Sequence, residues 1–320
     1  MPVDRTPFAD VREWLPPLQQ AHDIALIPAH MLPPLTPATA SALVRAYARV
    51  EAAVYASRRK GDFDVSWAAL FATAMAGDSE QTTGDREALR ALAETVDTAT
   101  RAPGTSSTLF FVRLSTRSPK DCLLKPWEAA PGRAPLSVVT GQEAAAMLAS
   151  SARVRDDLAA AAAAAAESGG GVEEEGGGVA VMLRPFAPIP AWSEVRVFVA
   201  AGQVTALSQY FPFTGDSAGA NRDALARYTN DFVALAGRCA AALSSTTNAV
   251  PPSFIVDLAL LPTTPPSGDG GGDGDDCRYH PVVLEVNPFS RATSACHFSW
   301  ARDHDRLHRG PFEARLVAAS

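Results

Sequence analysis

The sequence predicts a mixed α+β fold on three observations. Apolar residues recur three and four apart through residues 37–102, short branched and aromatic runs appear from residue 107 onward, and the two kinds of segment then alternate. At 320 residues the chain has about two domains' worth of length and enough apolar residues to bury a sizeable core.

In the helical stretch, "SALVRAYARVEAAVY", "SWAALFATAMAG" and "EALRALAETVDTAT" carry the period, and no strand pattern competes between Pro37 and Ala102. "STLFFVRLSTRSPKDC" reads as a short strand followed by a basic turn rich in serine and proline. "GQEAAAMLASSARVRDDLAAAAAAAAESGGGVEEEGGG" starts as a helix, runs through eight alanines and ends in a glycine and glutamate tail expected to be a flexible insertion. "GVAVMLRPF" is a strand, and "SEVRVFVAAGQVTALSQYF" is a hairpin turning at its AGQ. A helix around "RDALARYTNDFVALAGRCAAAL" leads to the strand "SFIVDLALL". The loop "PTTPPSGDGGGDGDDC" separates that strand from "YHPVVLEVNPF", so the two are expected to be neighbours joined by a long connection. The loop resembles one turn of a calcium-binding glycine–aspartate repeat, but such sites need stacked repeats and this one occurs once.

With 28 basic against 35 acidic residues the net charge is −7, which argues against wrapping nucleic acid and leaves room for a local basic pocket. The start "MPVDRTPFADVREWLPPLQQ" lacks the apolar core of a secretion signal, and no run approaches the roughly 18 apolar residues of a membrane span. No nucleic-acid or membrane partner is expected, and the chain reads as cytosolic or nuclear. Cys122, Cys239, Cys277 and Cys296 stand far apart without a CxxC pair, as expected of reduced thiols. His304 and His308 sit four apart on a helical stretch, but two ligands alone do not make a zinc site.

The chemistry concentrates near "VVLEVNPFSRA". Side chains two apart on a strand share a face, so Glu285 and Asn287 project together while Leu284 and Val286 point into a core. A carboxylate beside an amide oxygen suits a hard cation such as magnesium; a solvent-facing strand end is the plainer reading. Asp257 is a lone charge inside the apolar strand "FIVDLALL", where an unpaired carboxylate is costly. If the two strands pair, all three oxygen donors meet on one face around magnesium, an ion that commonly grips nucleotide phosphates. Arg113, Arg117, Lys120 and Arg196 are the candidate phosphate cations. Against that stand an exposed loop for the basic turn and, for Arg196, an ion pair with Glu194 on its own strand face.

"FFVRLSTRSPKDC", "AMLASSARVRDDL", "VMLRPF" with "SEVRVFV", "LSQY", "FIVDLALL" and "LEVNPFSRATSACHFSW" occur in the order and spacing of the cell division cycle protein 123 family, which the chain resembles over about residues 108–300. That resemblance implies an ATP-grasp-like α+β fold, two lobes holding ATP and magnesium between them. It further implies an assembly chaperone that binds the γ subunit of eukaryotic translation initiation factor 2, acting as a cytoplasmic monomer. The implied division is a mainly helical region over 1–105, a first lobe over 106–184 and a carboxyl-terminal lobe with the metal site over 185–320. By position, Asp257, Glu285 and Asn287 match the metal ligands, and Arg196 matches a phosphate-contacting arginine. The backbone of Met182, Leu183 and Arg184 matches the segment that meets the adenine edge. The loop Ser115 to Asp121, with Ser115, Arg117, Ser118 and Lys120, matches a flexible turn over the phosphates. This chain departs from the family in three places: Arg113 stands where well-studied members have lysine, Glu285 where many have aspartate, and Thr116 where the loop has tryptophan. Arginine keeps the charge but replaces a compact ammonium with a planar fork.

Two other readings compete with the chaperone. An ATP-grasp ligase or phosphotransferase would consume ATP only with a small acceptor, although nothing in the sequence names an acceptor pocket. A binding module that has lost ATP is motivated by Arg113. Under the metal reading, Asp257→Ala and Asn287→Ala are expected to remove magnesium-dependent nucleotide affinity and leave the fold intact.

Overall fold

The structure, a computed structural model, describes residues 10–101, 107–167, 178–187, 189–211, 218–246, 251–263 and 278–316. The glycine and glutamate tail after Glu167 and the acidic glycine loop with Cys277 lie outside the described residues. In chain order the elements are α1 (Val11–Gln20), β1 (His30–Pro34), α2 (Pro37–Arg59), α3 (Trp67–Ala74), α4 (Glu80–Thr100), β2 (Phe110–Leu114) and β3 (Ser137–Val138). They continue with α5 (Gly141–Ala149), α6 (Ala152–Glu167), β4 (Ala180–Pro185), β5 (Val195–Ala200), β6 (Gln203–Gln209), α7 (Ala218–Arg227) and α8 (Thr229–Thr246). The last are β7 (Phe254–Pro262), β8 (Tyr279–Pro288), α9 (His304–Arg309) and β9 (Glu313–Arg315). The fold is mixed α+β with two sheets, as the periodicities predict.

The chain divides into two units: Pro28–Phe186, and a discontinuous one built from Met1–Ile27 with Ala187–Ser320. The helical residues 37–101 therefore belong with the first strands, while the amino-terminal segment joins the carboxyl-terminal sheet.

In Pro28–Phe186 a sheet of order β1-β4-β2-β3 accompanies α2 to α6. Each long helix starts on a hydroxyl: Thr36 caps α2 ahead of Pro37, Ser66 caps α3 and Ser79 caps α4, each accepting a backbone N–H of the first turn. Leu43, Ala46, Val50 and Val54 of α2 and Leu89, Leu92 and Val96 of α4 face one core with Val112 and Leu114 of β2. Inside that unit Asp85 is 1 % exposed and accepts hydrogen bonds from both Arg45 and Arg49. Burial pushes its carboxyl pKa up, but the two guanidinium groups pull it below the usual range.

The single helix expected over residues 141–167 breaks at Ser150 and Ser151. Ser151 Oγ accepts the Val154 N–H at 3.2 Å and so starts α6, while Ser150 Oγ donates back to the Met147 carbonyl at 3.1 Å.

In the other unit the sheet has order β8-β7-β5-β6-β9, antiparallel except for β6 beside β9. β5 and β6 form the expected hairpin, whose turn residues Ala201 and Gly202 both take positive φ, 49° and 78°, the twist a tight two-residue connection requires. β7 and β8 are antiparallel neighbours, as the lone carboxylate in one and the Glu–Asn pair in the other suggest. Two details depart from the sequence reading. An irregularity between Asp257 and Leu258 leaves Leu284 outside the register, so Val283, 1 % exposed, joins Val286 on the core face and Leu284 is only half-buried. The segment 11–20, with Pro16 and Pro17 inside it, is a helix: Val11, Trp14, Leu15 and Leu18 form a buried stripe packed on α8 and β8 that outweighs the prolines' loss of backbone donors.

Cys122 and Cys239 are buried thiols whose pKa burial pushes up to about 12, so both stay protonated and act as small apolar groups. His304 and His308 stack on each other in α9 with ring centroids 4.2 Å apart, and His308 also meets the edge of Phe289.

Candidate functional site

The register of the five-stranded sheet puts one polar row across it. Glu285 of β8 lies opposite Asp257 of β7, which lies opposite Arg196 of β5, which lies opposite Ser208 of β6. Directly cross-strand residues share a face, so these side chains are neighbours. Asn287, two residues beyond Glu285, projects from that face as well. Farther along, the face turns apolar: Phe198, Ala206 and Ile255 pack with Ala295, Phe298 and Leu307. The row thus borders an aromatic cluster in which Trp300 and Phe289 meet edge to face, ring centroids 5.2 Å apart.

Asp257 is 5 % exposed and Arg196 4 %. The arginine forks onto the carboxylate, Nε donating to Oδ1 and Nη2 to Oδ2, both at 2.8 Å. Asn287 Nδ2 donates to Asp257 Oδ2 at 2.9 Å. The third arginine nitrogen, Nη1, donates to the Ser294 carbonyl at 2.6 Å, and the guanidinium carbon lies 4.9 Å from the centre of the Tyr210 ring. Burial alone would lower the Arg196 pKa, but the hydrogen bonds and charge of Asp257 raise it above the ordinary arginine value. The partner of Arg196 is therefore this carboxylate from the neighbouring strand, gripped at both oxygens. Cys296, in a left-handed backbone conformation at φ 53°, stands beside this pair; burial raises its thiol pKa against the opposing charge of Arg196.

As a donor set the row suits a hard divalent ion: two carboxylates and an amide, with the Asn287 nitrogen turned to Asp257. Among the described residues no three His, Cys, Asp or Glu side chains gather as a metal-holding group. A magnesium ion here would therefore take at most two charged ligands from the protein, with phosphate oxygens and water making up the rest of its shell.

The basic turn is in the other unit. Arg113, on β2, is 3 % exposed and bends back on its own turn, Nε donating to the Leu114 carbonyl at 3.0 Å and Nη2 to the Thr116 carbonyl at 3.4 Å. Ser115 is buried, its N–H donating to the Ala180 carbonyl at 2.7 Å and its Oγ accepting the Ala180 N–H at 3.3 Å. Arg117 pairs with Asp157 at 2.5 Å, Ser118 is buried and Lys120 is exposed. Met182 and Leu183 are buried in β4 with β1 on one side and β2 on the other; Arg184 follows beyond the His30–Leu183 pairing. The structure thus groups Asp257, Glu285, Asn287 and Arg196 in one unit, and Arg113, Ser115, Arg117, Ser118, Lys120 and residues 182–184 in the other.

Sequence reasoning left Tyr210, Ser294 and Asp157 without roles. "LSQY" and "ARVRDDL" stood among the family-like segments, yet their contacts join residues 14 to 98 positions apart, which no local pattern reveals.

No curated protein sequence matches the chain at a significant level. Among solved structures it is similar to that of Cdc123 from Schizosaccharomyces pombe, with 16 % identity, TM-score 0.55, and 95 % of this chain and 94 % of that one covered. It is also similar to the structure of C-terminally truncated Cdc123 from the same organism, with 17 % identity, TM-score 0.57, and 98 % and 97 % covered. Those likenesses establish the fold, and the family follows from a profile described as D123 that matches residues 71–319. This chain belongs to the D123 family, that of the Cdc123 proteins.

Proposed function

We propose that this chain is an ATP- and magnesium-binding assembly chaperone of translation initiation factor 2, acting on its γ subunit, with an ATP-grasp-like fold. The observation that carries the nucleotide part is the polar row of the discontinuous unit. A buried carboxylate, held by an arginine fork and bonded to an asparagine, sits opposite a second carboxylate in a chain of the D123 family. A purely structural ion pair needs Arg196 and Asp257 alone; Glu285 and Asn287 add the oxygen donors a divalent ion takes.

In this reading Asp257, Glu285 and Asn287 hold magnesium, and Arg196 orients Asp257 and presents positive charge toward phosphate. Magnesium, when bound, would neutralise phosphate charge and fix the geometry of the polyphosphate. Arg113, Ser115, Arg117, Ser118 and Lys120 belong to the phosphate loop, and the backbone at Met182, Leu183 and Arg184 to the adenine side. The partner is a protein, in keeping with the family and with a net charge of −7. No helix among the described residues is long and apolar enough to cross a membrane.

The test is reconstitution. Purified chain and purified γ subunit are mixed with and without ATP and magnesium and resolved by analytical ultracentrifugation. The expected outcome is a one-to-one complex. Two unchanged free species, with both proteins shown to be folded, would refute the chaperone reading.

A further inference from the structure

We infer that the α5–α6 junction is a clamp that sets the conformation of the loop Ser115–Asp121, with Asp157 and Ser151 as its positioning residues. This rests on the phosphate-loop reading above and assigns a task to the "SSARVRDDL" segment, which that reading leaves idle.

The contacts run to both ends of the loop. Arg117, near its start, makes a two-point bond with Asp157 of α6: Nη2 to Oδ1 at 2.5 Å and Nε to Oδ2 at 3.2 Å. Asp121, at its end, accepts from Ser151 Oγ at 2.5 Å and from the Arg153 N–H at 3.1 Å. Just beyond, the Leu123 N–H donates to the Ser150 carbonyl at 3.0 Å and the Leu124 N–H to Ser150 Oγ at 3.3 Å. Asp157 is 6 % exposed, so its pairing is shielded from water on the carboxylate side, where a charge-assisted bond is strongest.

The loop's own bonds, the Leu114 N–H to the Arg117 carbonyl at 2.9 Å and Arg113 to the Leu114 and Thr116 carbonyls, hold its start but leave hydroxyls in its middle unsatisfied. Thr116 Oγ1 and Ser118 Oγ are buried with no hydrogen-bond partner among the described residues. A sealed, unpaired hydroxyl opposes the conformation that seals it. The bonds to α6 outweigh that opposition, so the loop is a held platform in this chain, whereas the family resemblance implies a flexible turn. With its fork engaged at Nε and Nη2, Arg117 acts on a phosphate through the position of the loop.

The experiment uses the full chain as wild type, D157N, R117A, R117K and the double variant D157N/R117A. Hydrogen exchange by mass spectrometry is read over residues 113–124, and ATP with magnesium is titrated calorimetrically. D157N and R117A are each expected to speed exchange of the loop amides about tenfold, with β5 to β8 unchanged. R117K should restore most of the protection, and the double variant should be no looser than either single one, as for two members of one contact. Both loosened variants should bind ATP at least several-fold more weakly. Loop exchange identical to wild type in R117A, whose side chain is exposed enough not to threaten folding, would overturn the clamp even if D157N fails to fold. If the wild type binds no ATP, the phosphate-loop reading fails, and loop exchange alone then decides the clamp.

Discussion

Asp257→Ala is expected to lower the melting temperature of the discontinuous unit by about 10 °C as well as to remove magnesium-dependent nucleotide binding. The first effect corrects the expectation, natural from sequence, that this change spares the fold. Arg196 is 4 % exposed and its fork is filled by Asp257. Removing the carboxylate leaves a buried guanidinium without its counter-charge, and breaking a buried pair from one side costs about 3–5 kcal/mol. At roughly 2–4 °C per kcal/mol for a unit of this size, the shift is large and measurable by calorimetric scanning. The paired change Asp257→Ala with Arg196→Leu should recover much of that stability and none of the binding, since the orphaned charge is gone while the ligand stays absent. A melting temperature within about 2 °C of wild type for Asp257→Ala alone would show that the pair is not buried as described.

Gly141→Ala is expected to cost the other unit about 3 kcal/mol or more. Gly141 opens α5 where it crosses α4, and a Cβ there would stand 1.9 Å from the Ala93 carbonyl oxygen and 2.8 Å from the Ala93 Cα. The obstruction is backbone on a long helix, which cannot step aside as a flexible side chain would. The contact is also fastened, because the Gly141 N–H donates to Asp97 Oδ1 at 2.6 Å. A urea titration should show a lower midpoint at an unchanged slope. Gly84, past the first turn of α4 with open space around it, is the control: Gly84→Ala should be neutral or stabilising, because alanine favours the helix. An unchanged midpoint for Gly141→Ala would mean that α4 and α5 do not touch there.

What the sequence made legible follows from the range of the interactions involved. Strands β7 and β8 stood out because each is an apolar run carrying an anomalous polar residue, and the cost of a buried lone carboxylate predicts a partner for Asp257. That partner was not readable. Glu194 is the nearer charge to Arg196 along the chain, and only the register of β5 on β7 brings Asp257 opposite it. Helix α1 was hidden by Pro16 and Pro17, since its stabilisation comes from a buried stripe closed by an element more than 200 residues away. The serines at the α5–α6 junction read as helix, although the bonds that end one helix and start the next span only three residues; what no local pattern reveals is the Ser151 bond to Asp121, thirty residues away. The division into units was equally non-local: residues 10–27 join the carboxyl-terminal sheet, where Val283 donates its N–H to the Ala25 carbonyl at 2.9 Å. Where local periodicity was clean it fixed the type of element, and distant packing fixed its task.

The polar row's identity as a nucleotide–metal site is tested most directly by calorimetric titration of ATP into wild type and Asn287→Ala, each with magnesium and with chelator. Asn287 is half-buried and bonds to Asp257 without being its charge partner, so its loss leaves the Arg196 pair intact and separates binding from stability. The expected result is one saturable site in the wild type that weakens at least tenfold, about 1.4 kcal/mol, when magnesium is removed or Asn287 is replaced, with no change in melting temperature. Equal ATP affinity in all four titrations, or no binding by the folded wild type, would contradict it.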